Sequence, residues 1–402
     1  MQTAIPATLL SSPAIQEAEK ILRTCVHCGF CNATCPTYQT LGDELDGPRG
    51  RIYLIKQMLE GNAVGRRTLT HLDRCLTCRN CETTCPSGVQ YGRLLDVGRE
   101  LAEQRAGRPM HQRLVRWLLC RVIPHRARFG FLLGVARLFR PLLPSALKRK
   151  VPARTEPGAR PSRSHPRRMI LLEGCVQPGL APNINAACAR VLDRLGIEAV
   201  TLEGESCCGA ALHHTSSVEA GLDAARRNID ALWPHVEAGI EAIVSSASGC
   251  GVHLKDYGHL LRHDAAYAAK ANHVASLVRD LSEVLAKEDL SKIKKTLRVP
   301  ERVVFQSSCT LQHGQKLGGI VEKILKDYGI DLVAAPESHL CCGSAGTYSI
   351  LMPGLSRQLG ERKIAALISV SPSVIATANI GCLVHLAGMT DTPVMHWIEL
   401  LD

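Results

Sequence analysis

Cys25-Val26-His27-Cys28-Gly29-Phe30-Cys31-Asn32-Ala33-Thr34-Cys35-Pro36 and Cys75-Leu76-Thr77-Cys78-Arg79-Asn80-Cys81-Glu82-Thr83-Thr84-Cys85-Pro86 share one spacing, Cys-x2-Cys-x2-Cys-x3-Cys-Pro. Three thiols set two residues apart wrap a tight loop and can reach three irons of a single [4Fe–4S] cube. The fourth cysteine points away, and the proline after it sets a turn with no N–H to satisfy. Where two such runs occur together, the fourth cysteine of each serves the other cluster. The spacing therefore predicts two [4Fe–4S] clusters. Cys25, Cys28, Cys31 and Cys85 would hold one, and Cys75, Cys78, Cys81 and Cys35 the other. Zinc and disulfides are the alternatives. Zinc sites usually join a Cys-x2-Cys pair to a distant pair or to histidines, and disulfides require an oxidising compartment.

Outward from these runs the chain reads as helical. Ser12-Pro13 supplies an N-cap and a first-turn proline, and Ile15, Ala18, Ile21 and Leu22 form an apolar stripe leading to Cys25. Asp46-Gly47-Pro48 opens a second helix with Ile52, Ile55 and Leu59 on one face, closed by Gly61-Asn62. Residues 1–103 are thus expected to form an α-helical, two-cluster, ferredoxin-like domain.

The 402 residues suffice for two or three domains, and 46% hydrophobic against 21% charged residues fits a globular chain. No apolar run approaches the ~20 residues of a membrane span. No Lys or Arg precedes the apolar patch Ala7–Leu10, so no secretory leader is expected. The net charge of +11 is concentrated: residues 105–168 hold 17 Lys and Arg against one acid, Glu156. The same stretch is apolar at Leu114-Val115-Arg116-Trp117-Leu118-Leu119 and from Phe131 to Phe139. A basic, amphipathic linker over 104–168 suits an anionic membrane surface or an acidic partner. A helical hairpin packed on its own protein is the plainer alternative. No nucleic-acid motif accompanies the charge, so nucleic acid is not expected as a partner.

Residues 169–402 contain a duplication. Cys175 precedes Cys207 by 32 residues and Cys309 precedes Cys341 by 32; Cys207-Cys208-Gly209 recurs as Cys341-Cys342-Gly343, and Gly249-Cys250 as Gly381-Cys382. Short apolar runs precede the cysteines at Met169–Leu172, Ile243-Val244, Val303–Phe305 and Val374-Ile375. Strand, cysteine, helix, strand, Cys-Cys-Gly, helix, strand, Gly-Cys is an α/β order. It sets each cysteine at or just past the carboxyl end of a strand, where open parallel sheets build their sites. The expected architecture is multidomain: the helical ferredoxin domain, then two α/β Cys-Cys-Gly repeats over 169–295 and 296–402. Cys175, Cys207, Cys208 and Cys250, and in the second repeat Cys309, Cys341, Cys342 and Cys382, are candidate ligands of a further iron–sulfur cofactor. Buried cysteines packed as small hydrophobes are the alternative.

His253 and His385 each follow a repeat cysteine by three residues, and His213 and His214 follow the first Cys-Cys-Gly; metal ligation, proton transfer and plain hydrogen bonding all remain open for them. Cys120 and Cys188 fit neither pattern and read as structural. No Gly-x-Gly-x-x-Gly follows a strand and no Walker loop is present. Nothing marks a catalytic residue or a site for nicotinamide, nucleotide or flavin. A chain rich in iron–sulfur ligands with no hydride acceptor reads as an electron relay.

The two motifs, the segment Gly47-Pro48-Arg49-Gly50-Arg51-Ile52-Tyr53-Leu54-Ile55-Lys56, the repeats, Ser245-Ser246-Ala247-Ser248-Gly249-Cys250-Gly251 and Thr392-Pro393-Val394-Met395-His396-Trp397-Ile398-Glu399 resemble the iron–sulfur subunits of bacterial glycolate oxidase, or glycolate dehydrogenase. The resemblance implies flavin-binding partner subunits that oxidise glycolate, with D-lactate as a second substrate. It implies a quinone or another acceptor beyond this chain, and a cytoplasmic place on the periphery of the inner membrane. The third subunit of anaerobic glycerol-3-phosphate dehydrogenase shares the architecture and is the runner-up. A redox sensor or scaffold binding nucleic acid is the rival of another class. The repeats are also similar to those of the heterodisulfide reductase catalytic chain, which end in Cys-x2-Cys where this chain has His253 and His385.

Overall fold

A computed structural model describes residues 1–144, 148, 151–205, 207–293 and 300–402. The chain forms two compact units: Met1–Trp117 with His339–Lys363, and Leu118–Ser338 with Ile364–Asp402.

Unit one is helical. Pro13–Thr24 begins with proline at its first turn after Ser12 and buries Ala18, Ile21 and Leu22. Pro48–Leu59 follows Gly47 and buries Ile52, Ile55, Met58 and Leu59. Tyr91–Ala106 adds Leu94 and Leu95, and these side chains share one core with Cys25, Cys75 and Cys81. Both cysteine loops are therefore anchored in the same packed helices. The fit is tight at Gly50, where a Cβ would lie 2.1 Å from the Glu44 carbonyl oxygen.

The sequence division at 103 and at 295–296 does not follow these units. Helix Met110–Val122 begins within unit one, where Arg108 and Arg116 both reach Asp73, at 2.5 and 3.2 Å. The insertion 339–363 joins unit one through long-range hydrogen bonds. Asn80 Nδ2 donates to the His339 carbonyl at 3.1 Å, Tyr348 Oη to the Arg74 carbonyl at 3.0 Å, and Arg362 Nη1 to Gln39 Oε1 at 2.8 Å. Such partners are distant in sequence, and no local spacing announces them.

Unit two carries two four-stranded parallel sheets. The first has strands β1 (Arg167–Leu172), β2 (Ile197–Thr201), β3 (Ala242–Ser245) and β4 (Val278–Asp280) in the order β2-β1-β3-β4. The second has β5 (Val303–Gln306), β6 (Leu332-Val333), β7 (Val374–Thr377) and β8 (Val394–His396) in the order β6-β5-β7-β8. Sequence spacing foretells the inner strands. The edge strands β4 and β8 are three residues each and show no pattern of their own.

Met169 and Leu171 of β1 face a core shared by both sheets, while Ile170 and Leu172 face a second core with Ala225, Ile229 and Tyr257. Burial on both faces is what a parallel sheet demands. A buried polar seam joins the repeats. Ser248 Oγ lies 2.7 Å from both Ser308 Oγ and Thr310 Oγ1, and Gln315 Nε2 donates to Asp280 Oδ2 at 3.1 Å. His396 belongs to this seam, with Nε2 3.0 Å from the Ser246 carbonyl and Nδ1 accepting the Ile398 N–H. Burial pushes its pKa down to about 4, against the pull of the Ser246 and Ala378 carbonyls.

His396 stays neutral in the fold, while in the unfolded chain it takes a proton below about pH 6.5. The unfolded state thus gains protons first, and this residue's contribution falls as pH drops from 6.5 toward 4, by up to about 3 kcal/mol. Denaturant titrations across that window should show a shallower pH dependence for His396→Gln than for the parent. Equal dependence in both would contradict the assignment.

Candidate iron–sulfur sites

In unit one the two cysteine loops turn left-handed at matching positions. His27 and Gly29 flank Cys28 with φ of 61° and 89°, and Thr77 and Arg79 flank Cys78 with φ of 55° and 58°. Left-handed residues on both sides of the middle cysteine curl each loop on itself. For non-glycine residues that backbone is strained by about 1–3 kcal/mol apiece. The loops meet through the residues just before their fourth cysteines, Thr34 Oγ1 and Thr84 Oγ1, which lie 3.1 Å apart. That pairing carries each fourth cysteine toward the opposite loop.

Two sets of thiols result. Cys31 is close enough to Cys25, Cys28 and Cys85 to feel each of them; burial first, then these neighbours, push its pKa up to about 11. Burial likewise raises Cys25, with Cys28 and Cys85 adding to the effect. Cys81 is raised well above the usual thiol range by burial and by Cys78, Cys75, Glu82 and Cys35. The structure thus brings together Cys25, Cys28, Cys31 and Cys85, and separately Cys35, Cys75, Cys78 and Cys81. A cleft with about 440 Å³ of empty space, open to solvent, is lined by the first set, Cys81, Pro48, Ile52 and Tyr91.

The size of these sets bears on the group they fit. Four sulfurs around one zinc at 2.3 Å lie about 3.8 Å apart. Among the described residues, only Asp43, Asp46 and His71 bring three ligand atoms within 4.8 Å of one another, and three thiols do so nowhere. Asp46 is already bonded by Arg74 at 2.7 Å and His71 at 3.0 Å. The thiol sets suit a group wider than a single ion, as a cubane is.

In unit two the strand order reverses between β1 and β3, so the crevice at their carboxyl ends is the switch point of the first sheet. Cys175 follows β1, and Cys250 follows β3 in the helix Ser248–Lys255. Cys207-Cys208 follow β2. The thiols of these four form a chain of hydrogen bonds: Cys175 with Cys207, Cys207 with Cys208, and Cys208 with Cys250. The Cys175 and Cys208 thiols and the Gly209 N–H converge on the Cys207 sulfur, favouring its thiolate. Tyr257 Oη donates to the Cys208 carbonyl at 2.8 Å, and Asn228 Nδ2 to the Cys207 carbonyl at 3.1 Å. Glu205, missed in the sequence, accepts the N–H groups of Glu173 and Gly174 at 3.0 and 2.6 Å, and burial raises its pKa.

In the second repeat Cys309 and Cys382 follow β5 and β7 in unit two, while Cys341 and Cys342 belong to unit one. The histidines cluster in the first repeat: the rings of His213, His214 and His253 lie 5.6–6.2 Å apart. His385 is half-buried. Cys188 is fully buried in the shared core, and Cys120 Sγ lies 3.1 Å from Thr215 Oγ1.

Among its described residues the linker forms the α-helices Met110–Val122 and Arg126–Leu138. Arg126–Leu138 buries none of its residues. It rests on Gly179 through Phe129 and Leu133. Phe131, Leu132, Val135, Leu138 and Phe139 remain exposed, as do Leu114, Trp117 and Leu118. Arg116, one of the linker's cations, is buried against Asp73.

Known proteins are similar to this chain in sequence. A family described as "4Fe-4S dicluster domain" matches residues 21–89, and one described as "Cysteine-rich domain" matches 170–255 and again 303–387. The "Glycolate oxidase iron-sulfur subunit" of Escherichia coli is 54% identical over all of this chain and 98% of its own length. The chain belongs to the family of glycolate oxidase iron–sulfur subunits. A Bacillus subtilis member, "Probable glycolate oxidase iron-sulfur subunit", is 29% identical over 91% of this chain and 88% of its own. "Lactate utilization protein A" of Bacillus velezensis is 31% identical over 58% of this chain and 99% of its own.

Family membership accounts for the duplicated repeat, and the geometry shows which glycine it leans on. Gly209 has φ of 94°, and a Cβ there would sit 2.8 Å from the Gly221 carbonyl oxygen. Gly209→Ala should lower the unfolding midpoint and speed the reaction of Cys207 and Cys208 with a thiol reagent. Parent-like thiol reactivity and midpoint would contradict this reading of the turn.

Proposed function

We propose that this chain is the electron-carrying subunit of a complex that oxidises glycolate. Cys25, Cys28, Cys31 and Cys85 would hold one [4Fe–4S] cluster, Cys35, Cys75, Cys78 and Cys81 a second, and Cys175, Cys207, Cys208 and Cys250 a further iron–sulfur cofactor. These groups, when bound, accept and release single electrons. What supports the reading is that Cys85 neighbours Cys25 and Cys31 while Cys35 neighbours Cys81, within a family of this name.

The protein's part is to hold the sulfurs and set their surroundings. Burial makes the Cys25, Cys31 and Cys81 thiols lose protons reluctantly, and an iron–sulfur group relieves that crowding by replacing protons with metal charge. The Thr77 N–H points at Cys75 Sγ at 3.4 Å and the Gly209 N–H at Cys207 Sγ at 3.5 Å, positions from which they stabilise negative sulfur. A flavin-binding partner would oxidise glycolate to glyoxylate. The lactate-utilisation relatives support a short 2-hydroxy acid as the substrate class.

The acceptor side would be a quinone at the membrane. No helix among the described residues is long and apolar enough to cross a bilayer. The exposed stripe Phe131, Leu132, Leu138 and Phe139, with exposed Arg121 and Arg128, fits the surface of an anionic leaflet. Each arginine near such a surface contributes about 1 kcal/mol.

Anaerobically reconstituted protein should carry about eight irons in the N-terminal motifs. Cys78→Ser should lose about half of them and stop electron transfer, and the isolated chain should not oxidise glycolate. Bound zinc without iron, or glycolate turnover by the chain alone, would defeat the proposal. In flotation with phosphatidylglycerol vesicles, binding should weaken as salt rises. It should drop further when Phe131, Leu138 and Phe139 are changed to Ser. Parent-like flotation of that variant would remove the membrane role from this stretch.

A further inference from the structure

The charges around the two thiol sets in unit one are unequal. Beside Cys35, Cys75, Cys78 and Cys81 lies Arg51, whose side chain is 1% exposed. Its Nε donates to the His71 carbonyl at 2.7 Å, and both Nη atoms to Thr37 Oγ1 at 3.2 Å. Thr37 Oγ1 is in turn 3.2 Å from Cys35 Sγ. One hydroxyl therefore separates a buried guanidinium from a sulfur of this set. Burial disfavours the Arg51 charge, yet Cys75, Tyr91, Cys35 and Asp46 hold its proton more tightly than usual.

A second buried cation, Arg99, grips the other side of the same set. Its Nη2 donates to the Cys75 carbonyl at 2.6 Å and its Nη1 to Thr77 Oγ1 at 3.0 Å. The opposing charge is Asp46, fully buried, with Arg51 at 3.6 Å, and it is shared with Arg74 at 2.7 Å and His71 at 3.0 Å. Glu82 lies near Cys81 and accepts the Gly92 N–H at 2.6 Å.

The set of Cys25, Cys28, Cys31 and Cys85 is wetter. Cys28 is exposed and its cleft opens to solvent. Its nearby Arg49 is paired with Glu44 at 2.6 Å, both partly exposed. The Met1 amino group donates to the Cys25 carbonyl at 2.6 Å from a partly buried position. A charge in a protein environment acts about four times as strongly at a given distance as one in bulk water. The buried arginines therefore outweigh the solvated charges at the first set.

Reduction adds one negative charge to a cluster, and a fixed buried cation stabilises that added charge. We propose that Arg51 acts as a positioning and potential-setting residue that makes the cluster of Cys35, Cys75, Cys78 and Cys81 the higher-potential member of the pair. An electron entering unit one would then come to rest on that cluster. The inference rests on the ligand sets proposed above.

The test is a potentiometric titration of the reconstituted full chain, followed by electron paramagnetic resonance, with iron counted in each sample. The parent should show two separate potentials. Arg51→Gln should lower the higher one and leave the lower in place. Arg51→Lys, which keeps the charge, should restore it, and Asp46→Asn, which removes a negative charge, should raise it. Should Arg51→Gln fail to take up iron, Arg51→Lys and Asp46→Asn decide alone. Fully loaded variants whose two potentials stay fixed, or move together, would overturn the inference. A parent without iron–sulfur signals would overturn the ligand sets instead, and the inference with them.

Discussion

Thiols crowded at the edge of one small helical core, with Cys25, Cys75 and Cys81 buried in it, are an electrostatic problem before they are a site. Cys25, Cys31 and Cys81 lose their protons reluctantly because of burial, and neighbouring thiolates repel one another. Cys31 and Cys81 feel three other cysteines apiece, as well as their own burial. As thiolates they are tolerable only when something positive sits among the sulfurs, and the surrounding residues of unit one answer that need. Strained residues at His27, Thr77 and Arg79 turn the loops inward, and buried Arg51 and Arg99 bring cations close. Helices Pro13–Thr24, Pro48–Leu59 and Tyr91–Ala106 hold the loops against one core.

Unit two meets a related need with different means. A parallel sheet buried on both faces leaves the carboxyl ends of its strands free for chemistry. The β2-β1-β3-β4 order opens a crevice between β1 and β3, and the hydrogen-bonded chain from Cys175 to Cys250 gathers at those strand ends. The duplication reuses this plan, and the polar seam of Ser248, Ser308, Gln315 and His396 fixes the two copies together. Placing buried polar groups at that seam gives it one register, because any slip would leave them without partners.

Much of this was legible in the sequence because it depends on local spacing. The cysteine runs, the helix starts at Pro13 and Pro48, and the inner strands ahead of Cys175, Cys250, Cys309 and Cys382 all follow from residues close together in the chain. What escaped depends on long-range pairing. Arg51 and Arg116 look like surface cations until their partners Asp46 and Asp73 are known. Glu205 looks like an ordinary acid until the backbone of Glu173 and Gly174 is brought to it. The insertion 339–363 leaves the second repeat for unit one because Asn80, Arg74 and Gln39 offer it hydrogen bonds. Three-residue edge strands such as β4 and β8 carry too little pattern to be read alone.

The central claim is that the fourth cysteines cross between the loops. Anomalous scattering at the iron edge, from crystals grown without oxygen, tests it most directly. The account predicts one iron cluster bounded by Cys25, Cys28, Cys31 and Cys85, and another bounded by Cys75, Cys78, Cys81 and Cys35. Iron bounded by Cys25, Cys28, Cys31 and Cys35, or a signal at the zinc edge in place of iron, would contradict it.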